Sequence, residues 1–576
     1  MRTLRSIQTS FTSGELDPRL SARIEVSRYY AGAARLRNVV PLPQGGVTRR
    51  PGFRHIATLP AEAGDGLRLI PFAFSAAQTF LIALYAGGFQ VFRGNDGTLL
   101  FTATGQPWNA TIAQQVNWTQ SADTLILLHH DLQPWRIQRA GSDTSWTSAA
   151  LSLSNIPSFD YGSGPEPVIS ASRGWPEAGC FHQGRMWLGG LKSRPSTLLA
   201  SKVGAYFDLA LGSNDNDGMM LTLDTDQLNA VHQLLPHRGL LIFTSGAEHA
   251  ITVTPPITPT NVAIEEQSRR GIKRHARVDE VDGAVLFVQR GGAALRQFVY
   301  SELEQAWRAE LASLLAPHLI LDPRDVVIRK AAAQDDADLV LLPDPAGITV
   351  LSTLRSQEVT AFARWTVEGD VRGVAALPNG TVWLASGRDG AVRLLFLDPL
   401  CLLDHSLRFS FAAPVNSLTG LAHLAGRQVV MLLDGRPEGT ITVPPSGAIT
   451  LPRACLTAEI GFGVPVEIET MPIEPRAAEG PAIGKHVRLV DATVRVHESG
   501  PYDLRGTTLN TRTLGDDPAP PLDVVPPPPP VWRSGDDRLQ GLVGWAARQA
   551  VTISQPPDRP APLTVQAVAL TVALGG

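Results

Sequence analysis

Only three cysteines, Cys180, Cys401 and Cys455, occur in 576 residues. They lie too far apart for a disulfide framework or a zinc-ligand spacing, so a reducing compartment is the expectation. No run of about 18 apolar residues occurs, and the first residues carry no apolar signal segment; neither a membrane span nor a secretory leader is expected. Long helices are disfavoured too. The 52 glycines and 45 prolines make up about 17% of the chain against a usual share of about 12%, and both residues break helices. Lysine is scarce: five of the 50 basic residues are lysine, namely Lys192, Lys202, Lys273, Lys330 and Lys485. Arginine's planar fork suits carboxylates and backbone carbonyls at interfaces, although GC-rich coding produces the same bias.

The motifs of common enzymes are also missing. There is no G-x-S-x-G elbow, no G-x-x-x-x-G-K-[ST] loop, no H-E-x-x-H, and no G-x-G-x-x-G opening a helix. No catalytic residue, metal ligand or cofactor is nominated.

What is present is a long series of short apolar runs bounded by Gly, Pro, Asn or Asp. Residues 80–85 (FLIALY), 89–93, 124–129 (TLILLH), 135–138, 185–188, 240–244, 284–288, 339–342, 381–385, 392–396, 429–433 and 440–443 all have this form. Each reads as a strand closed by a tight turn. Their recurrence over several hundred residues predicts a mainly β chain with an irregular β-propeller-like central domain, since no fixed-period signature repeats. At 61.8 kDa the chain exceeds one ordinary core, and two to four domains are expected. Three are drawn: an N-terminal arm and docking segment (1–57), a propeller-like body (58–460) and a β-sandwich-like C-terminal domain (461–576).

Two helices are expected. Asp17-Pro18 forms a cap and first-turn pair opening a stretch to about Arg37. In residues 302–315, Leu303, Trp307, Leu311, Leu314 and Leu315 share one helical face before Pro317. Towards the end, residues 485–496 alternate as a half-solvated strand and residues 563–574 as a closing strand. The five prolines 526–530 suit a stiff polyproline loop.

The net charge of −4 hides an asymmetry. Residues 1–57 hold ten arginines against Glu15, Asp17 and Glu25, or +7; the remainder holds 40 basic and 51 acidic residues, or −11. A second basic cluster, RRGIKRHAR, contains Arg269, Arg270, Lys273, Arg274 and Arg277; it reads as a lumen or interface patch able to touch phosphates without sequence preference. His129-His130 ends a strand run, where alternation sends neighbours to opposite faces. The turn from Ser213 to Asp224 matches a calcium loop loosely, with Ser213, Asp215, Asp217, Gly218 and Asp224 at the ligand positions, but an Asn/Asp/Gly turn explains it without metal.

The opening is the most distinctive part. Phe11-Thr12-Ser13-Gly14-Glu15-Leu16-Asp17-Pro18-Arg19-Leu20 is followed by Pro41-Leu42-Pro43-Gln44-Gly45-Gly46-Val47-Thr48-Arg49-Arg50-Pro51-Gly52. This pair of segments resembles the N-terminus of the tail nozzle, or packaged-DNA stabilisation, proteins of short-tailed bacteriophages (podoviruses). A looser likeness continues through residues 183–190, 243–248, Gln555 and 562–565. The resemblance implies a structural virion protein, not an enzyme. It would form a ring, a homohexamer, at the distal end of the tail, below an adaptor ring and in reach of tail fibres and ejection proteins. The ring would retain the genome and then pass DNA and ejected proteins without sequence-specific binding, after assembly in the bacterial host cytoplasm. It also implies that Phe11, Gly14, Glu15, Pro18, Arg19, Gln44, Gly45, Gly46, Arg49, Arg50, Pro51 and Gly52 serve oligomer or adaptor docking. The +7 arm on a neighbour's −11 body would complement such a ring. The competing readings are a tail-associated glycan hydrolase and a receptor-binding tail protein on the same scaffold.

Overall fold

The computed structural model describes residues 3–575 except 22, 253–255, 332–335, 474, 475, 478, 479, 482–484 and 510–529. The apolar runs form antiparallel hairpins, and the hairpins assemble in fours. Five four-stranded sheets follow one another over residues 67–104, 117–150, 176–222, 231–268 and 279–311, and a sixth set of four strands, over 327–365, continues into a ten-stranded sheet with the terminal strands. A seventh contains Asp370–Ala376, Val382–Arg388 and Ala391–Asp398, and its outer strand is Gly52–Thr58 from the start of the chain. The first strands of successive sheets pack on one another around a common axis. The described residues thus form a seven-bladed β-propeller, closed by an N-terminal strand that completes the last blade.

The cores lie between blades. Ile70, Phe80, Phe89 and Trp108 meet Leu125, Leu127 and Trp146 between blades one and two. Leu81 and Phe92 meet Trp383 and Leu394 where blade seven returns to blade one. Burying each such side chain contributes about 1.5–3 kcal/mol, so every blade depends on both neighbours.

The termini share a second β region. Thr564–Leu574 pairs with Thr3–Gln8, Val47–Arg49 and Val487–Ser499. Gly32–Arg37 pairs with Val466–Thr470. Phe11, Leu36, Val39 and Val47 sit in one core with Ile468, Val494, Val551 and Val568. Blade seven is linked to Asp404–Leu418 at Ser406 and Arg54, and that strand pairs with Ile449–Phe462.

Several expectations change. Strand pairing crosses both boundaries drawn from sequence: Gly52–Thr58 belongs to blade seven, and Ile449–Phe462 runs straight through residue 460. The helix expected after Asp17 is two 3₁₀ turns, Pro18–Leu20 and Ser27–Ala31, followed by a strand. Asp17 Oδ1 does accept from the Arg19 N–H at 2.9 Å, so the cap is real but the helix does not propagate past sheet pairing at Gly32. The helix expected over 302–315 is a hairpin turn and the strand Ala306–Leu311. Trp307 is buried and stacks on Phe298, whereas Leu303 is 94% exposed; residues 307, 309 and 311 follow the strand period of two. The expected strands near the C-terminus are Val487–Ser499 and Thr564–Leu574. Prolines 526–529 lie outside the described residues.

Candidate functional site

All seven innermost strands begin at one face of the disc, and polar residues gather there: Arg68, Asn117, Glu177, His232, Asp325 and Arg372, one each from six blades or the loops leading into them. The segment 273–277, which leads into blade five, crosses this face. Arg274 donates to Glu177 through Nε at 3.0 Å and Nη2 at 2.8 Å, and Nη2 lies 2.9 Å from His130 Nδ1. Lys273 Nζ donates to Asp322 Oδ1 at 2.5 Å. Arg277 donates from its backbone N–H to Asp325 Oδ1 at 3.0 Å, and from Nη1 to Asn117 Oδ1 at 3.2 Å and Trp118 O at 3.1 Å. Its guanidinium lies 3.8 Å from the Trp118 ring centre. Arg68 joins from blade one, 2.9 Å from Asp325 and 5.1 Å from the same indole. Lys273, Arg274, Arg277 and Arg68 therefore tie blades one, two, three, five and six together across the axis. They plug the channel.

The plug divides the axial space. A cavity of about 180 Å³ lies on the entry side, between Arg68, Lys273, Arg274, Arg324 and Arg372. A larger cavity of about 480 Å³ lies beyond, lined by all seven innermost strands, including Trp118, Gln233, Asp279 and Lys330.

The charges are matched at the plug. Burial acts to raise the Glu177 carboxyl, but hydrogen bonds from His130, His232 and Arg274 outweigh it and hold the group well below the usual range. Burial pushes His129 and His275 down to about 4, so both are neutral at pH 7. Burial also lowers Arg277 to about 10, which leaves it charged. Bidentate Arg–carboxylate pairing of this kind fixes orientation as well as contributing energy.

The basic cluster is not one patch. Lys273, Arg274 and Arg277 go to the axis, Arg269 stays at the surface beside Glu266 and Asp226, and Arg270 donates its backbone N–H to Glu248. His129 and His130 do not point to opposite faces. The strand ends at His129, its register slips there, and the two rings stack with centres 4.3 Å apart. With Asp131 their nitrogen and oxygen ligand atoms lie within 4.8 Å, yet Arg274 already approaches His130 and Lys192 pairs with Asp131 at 2.5 Å. In the Ser213 turn Arg185 donates to the backbone carbonyls of Asp215, Asp217 and Ser201, and the Asp217 carboxylate accepts from the Asn214 backbone and side-chain amides.

Most of the expected docking residues are turned inward. Phe11, Gly14, Glu15, Gly45, Gly46, Arg49, Arg50 and Gly52 are buried, Pro51 is half-buried, and Pro18, Arg19 and Gln44 are exposed. Arg50 forms a bidentate pair with Asp404 at 2.6 and 2.9 Å, Arg49 donates to Gln555, Leu402 O and Val464 O, and Glu15 accepts from Arg37, His318 and the Leu36 N–H. Gly14 has φ +66° and a Cβ there would lie 2.1 Å from Phe362 N; one on Gly52 would lie 2.2 Å from Leu403 O. Gly14 and Glu15 thus meet Phe362 and His318 of blade six and its lead-in, and Arg49, Arg50 and Gly52 meet residues 402–404, Val464 and Gln555 after blade seven, all within the same chain.

Sequence reasoning missed Arg68, Trp118, Glu177, His232 and Asp325. Each comes from a different blade, and no local spacing links them. Their shared signal, a polar or aromatic residue at the start of an innermost strand, appears only once the blades are counted.

No family model matches the chain, and no curated protein matches it. Among solved structures, the WD40 domain of Pan2 from Neurospora crassa aligns with 60% of this chain and 96% of its own, at 9% identity and a TM-score of 0.37. The WD40 β-propeller domain of Doa1 covers 61% and 98%, at 13% identity and 0.34. Virginiamycin B lyase from Staphylococcus aureus covers 58% and 96%, at 12% identity and 0.35. These are likenesses to propellers, and the strand order described above carries the fold assignment.

Proposed function

We propose that the chain is a structural subunit of a short phage tail, a nozzle protein that builds a ring-shaped conduit with further copies of itself below the adaptor. The observation that supports this most directly is the placement of the two motif segments. Gly14 and Gly52 accept no side chain against Phe362 and Leu403, and Arg50 is fixed by Asp404. Several residues that carry the resemblance are therefore ones this junction demands. The role is physical. The plug closes the propeller's own axis, so the conduit in this reading is the space enclosed by several copies. The surfaces that meet between copies are then outer blade or terminal faces, not the buried arm.

Electron microscopy of the purified full chain and of virions tests the reading. Six-fold rings at the tail tip are expected. A protein that stays monomeric at all concentrations, is absent from tails and clears polysaccharide in solution would overturn it in favour of the glycan hydrolase.

A further inference from the structure

We propose that the entry-side cavity of the propeller axis binds a small phosphate-bearing anion. This rests on the cavity and not on the tail reading. Five cations line it, Arg68, Lys273, Arg274, Arg324 and Arg372, against the carboxylate of Asp325. Three are committed to carboxylates: Arg68 to Asp325, Lys273 to Asp322 and Arg274 to Glu177. The other two are not matched in this way. Arg324 Nη1 reaches Val371 O at a long 3.4 Å, and Arg372 lies 3.6 Å from an Asp370 side chain that is 67% exposed. Two guanidinium forks thus retain donors at one concave, partly desolvated site, in a chain whose net charge is −4.

Low-dielectric walls focus the field of such charges, and the planar fork matches phosphate oxygens two at a time. A volume of about 180 Å³ suits a phosphate or pyrophosphate group. A nucleic-acid strand is not expected to thread onward, since Arg277 and Trp118 pack on each other at 3.8 Å and contact the Asp325 and Arg68 that line the cavity. The ligand is therefore a free polyphosphate or the terminal phosphates of a nucleotide.

Calorimetric titration of the full chain with pyrophosphate, and separately with ATP, distinguishes the two sources. Saturable binding that weakens with added salt is expected for at least one of them. Equal affinity for both assigns the phosphates alone, whereas binding of ATP alone assigns a nucleotide. The double variant Arg324→Ala/Arg372→Ala is expected to bind about tenfold more weakly or worse, because it removes both sets of uncommitted charge-assisted donors. Its melting temperature, checked alongside, is expected to be unchanged. Arg269→Ala, on a surface away from the cavity, is expected to bind as the wild type does. Absence of saturable binding for both ligands, wild-type affinity in the double variant, or an equal loss in Arg269→Ala would overturn the proposal.

Discussion

Arg50 is 2% exposed, and its pair with Asp404 spans 354 positions of sequence. Nε also donates to Asn38 Oδ1 at 3.1 Å, and Nη2 to Thr366 O at 2.8 Å. Removing one partner of such a pair leaves a buried, unmatched charge, at a cost of about 3–5 kcal/mol. Arg50→Ala is therefore expected to lower the unfolding free energy by that amount, and the denaturant midpoint in proportion, whereas Arg19→Ala, at an 80% exposed side chain, changes both little. Urea melts of the two variants check this; equal midpoints would remove Arg50 from its structural role. Gly14→Ala tests the neighbouring contact. Its positive φ and the 2.1 Å approach to Phe362 N mean strain plus backbone displacement, about 1–3 kcal/mol or more.

At the scale of elements, the hairpins were legible because turns and period-two alternation are local. Residues 80–85, 124–129 and 284–288 read directly as strands, and so they fold. The helical stripe at 302–315 misled because Trp307 and Leu311 are apolar at both spacings; burial of Trp307 against Phe298 decided the period. The closing strand Gly52–Thr58 was not legible, since its partner Ala391–Asp398 lies more than 330 residues away. The seam between that blade and Asp404–Leu418 carries a further consequence. His55 stacks on His423 with centres 3.9 Å apart, His423 Nε2 meets His405 O at 2.9 Å, and His405 Nε2 meets Glu368 O at 2.9 Å, with Arg388 and Arg393 beside them. Burial lowers His55 to about 2, and His405 and His423 to about 4. Unfolded histidine takes its proton near pH 6.5, so between about pH 6.5 and 4 the unfolded chain binds more protons and stability is lost as the pH is lowered. Each such histidine contributes about 2 kcal/mol of loss by pH 5. Thermal melts from pH 7.5 to 5 are expected to show this fall, and a shallower one in His423→Gln; parallel curves would exclude the seam as a source.

At the scale of the whole molecule, the charge asymmetry has an intramolecular answer. Arg35 pairs with Glu467 at 2.8 Å, Arg50 with Asp404 and Arg54 with Asp398 at 2.9 Å, so three of the arm's ten arginines are matched by its own acidic body. Deleting residues 1–58 is therefore not a clean test of ring docking. It removes the outer strand of blade seven, bares the edge of Ala391–Asp398, and takes Phe11, Leu36, Val39 and Val47 out of the terminal core. An opened propeller with an unpaired edge is prone to aggregate, and loss of soluble protein with a fixed near-ultraviolet spectrum is expected. Deleting residues 1–8 removes just the edge strand Thr3–Gln8, mostly exposed where it lies on Thr564–Leu574. That shorter deletion is expected to stay folded, with a modest drop in melting temperature. If copies meet through outer faces, it also keeps the ability to form rings. Loss of rings from a folded chain lacking residues 1–8 would return the docking role to the arm's first strand, and equal stability of both deletions would show that closure by Gly52–Thr58 is dispensable.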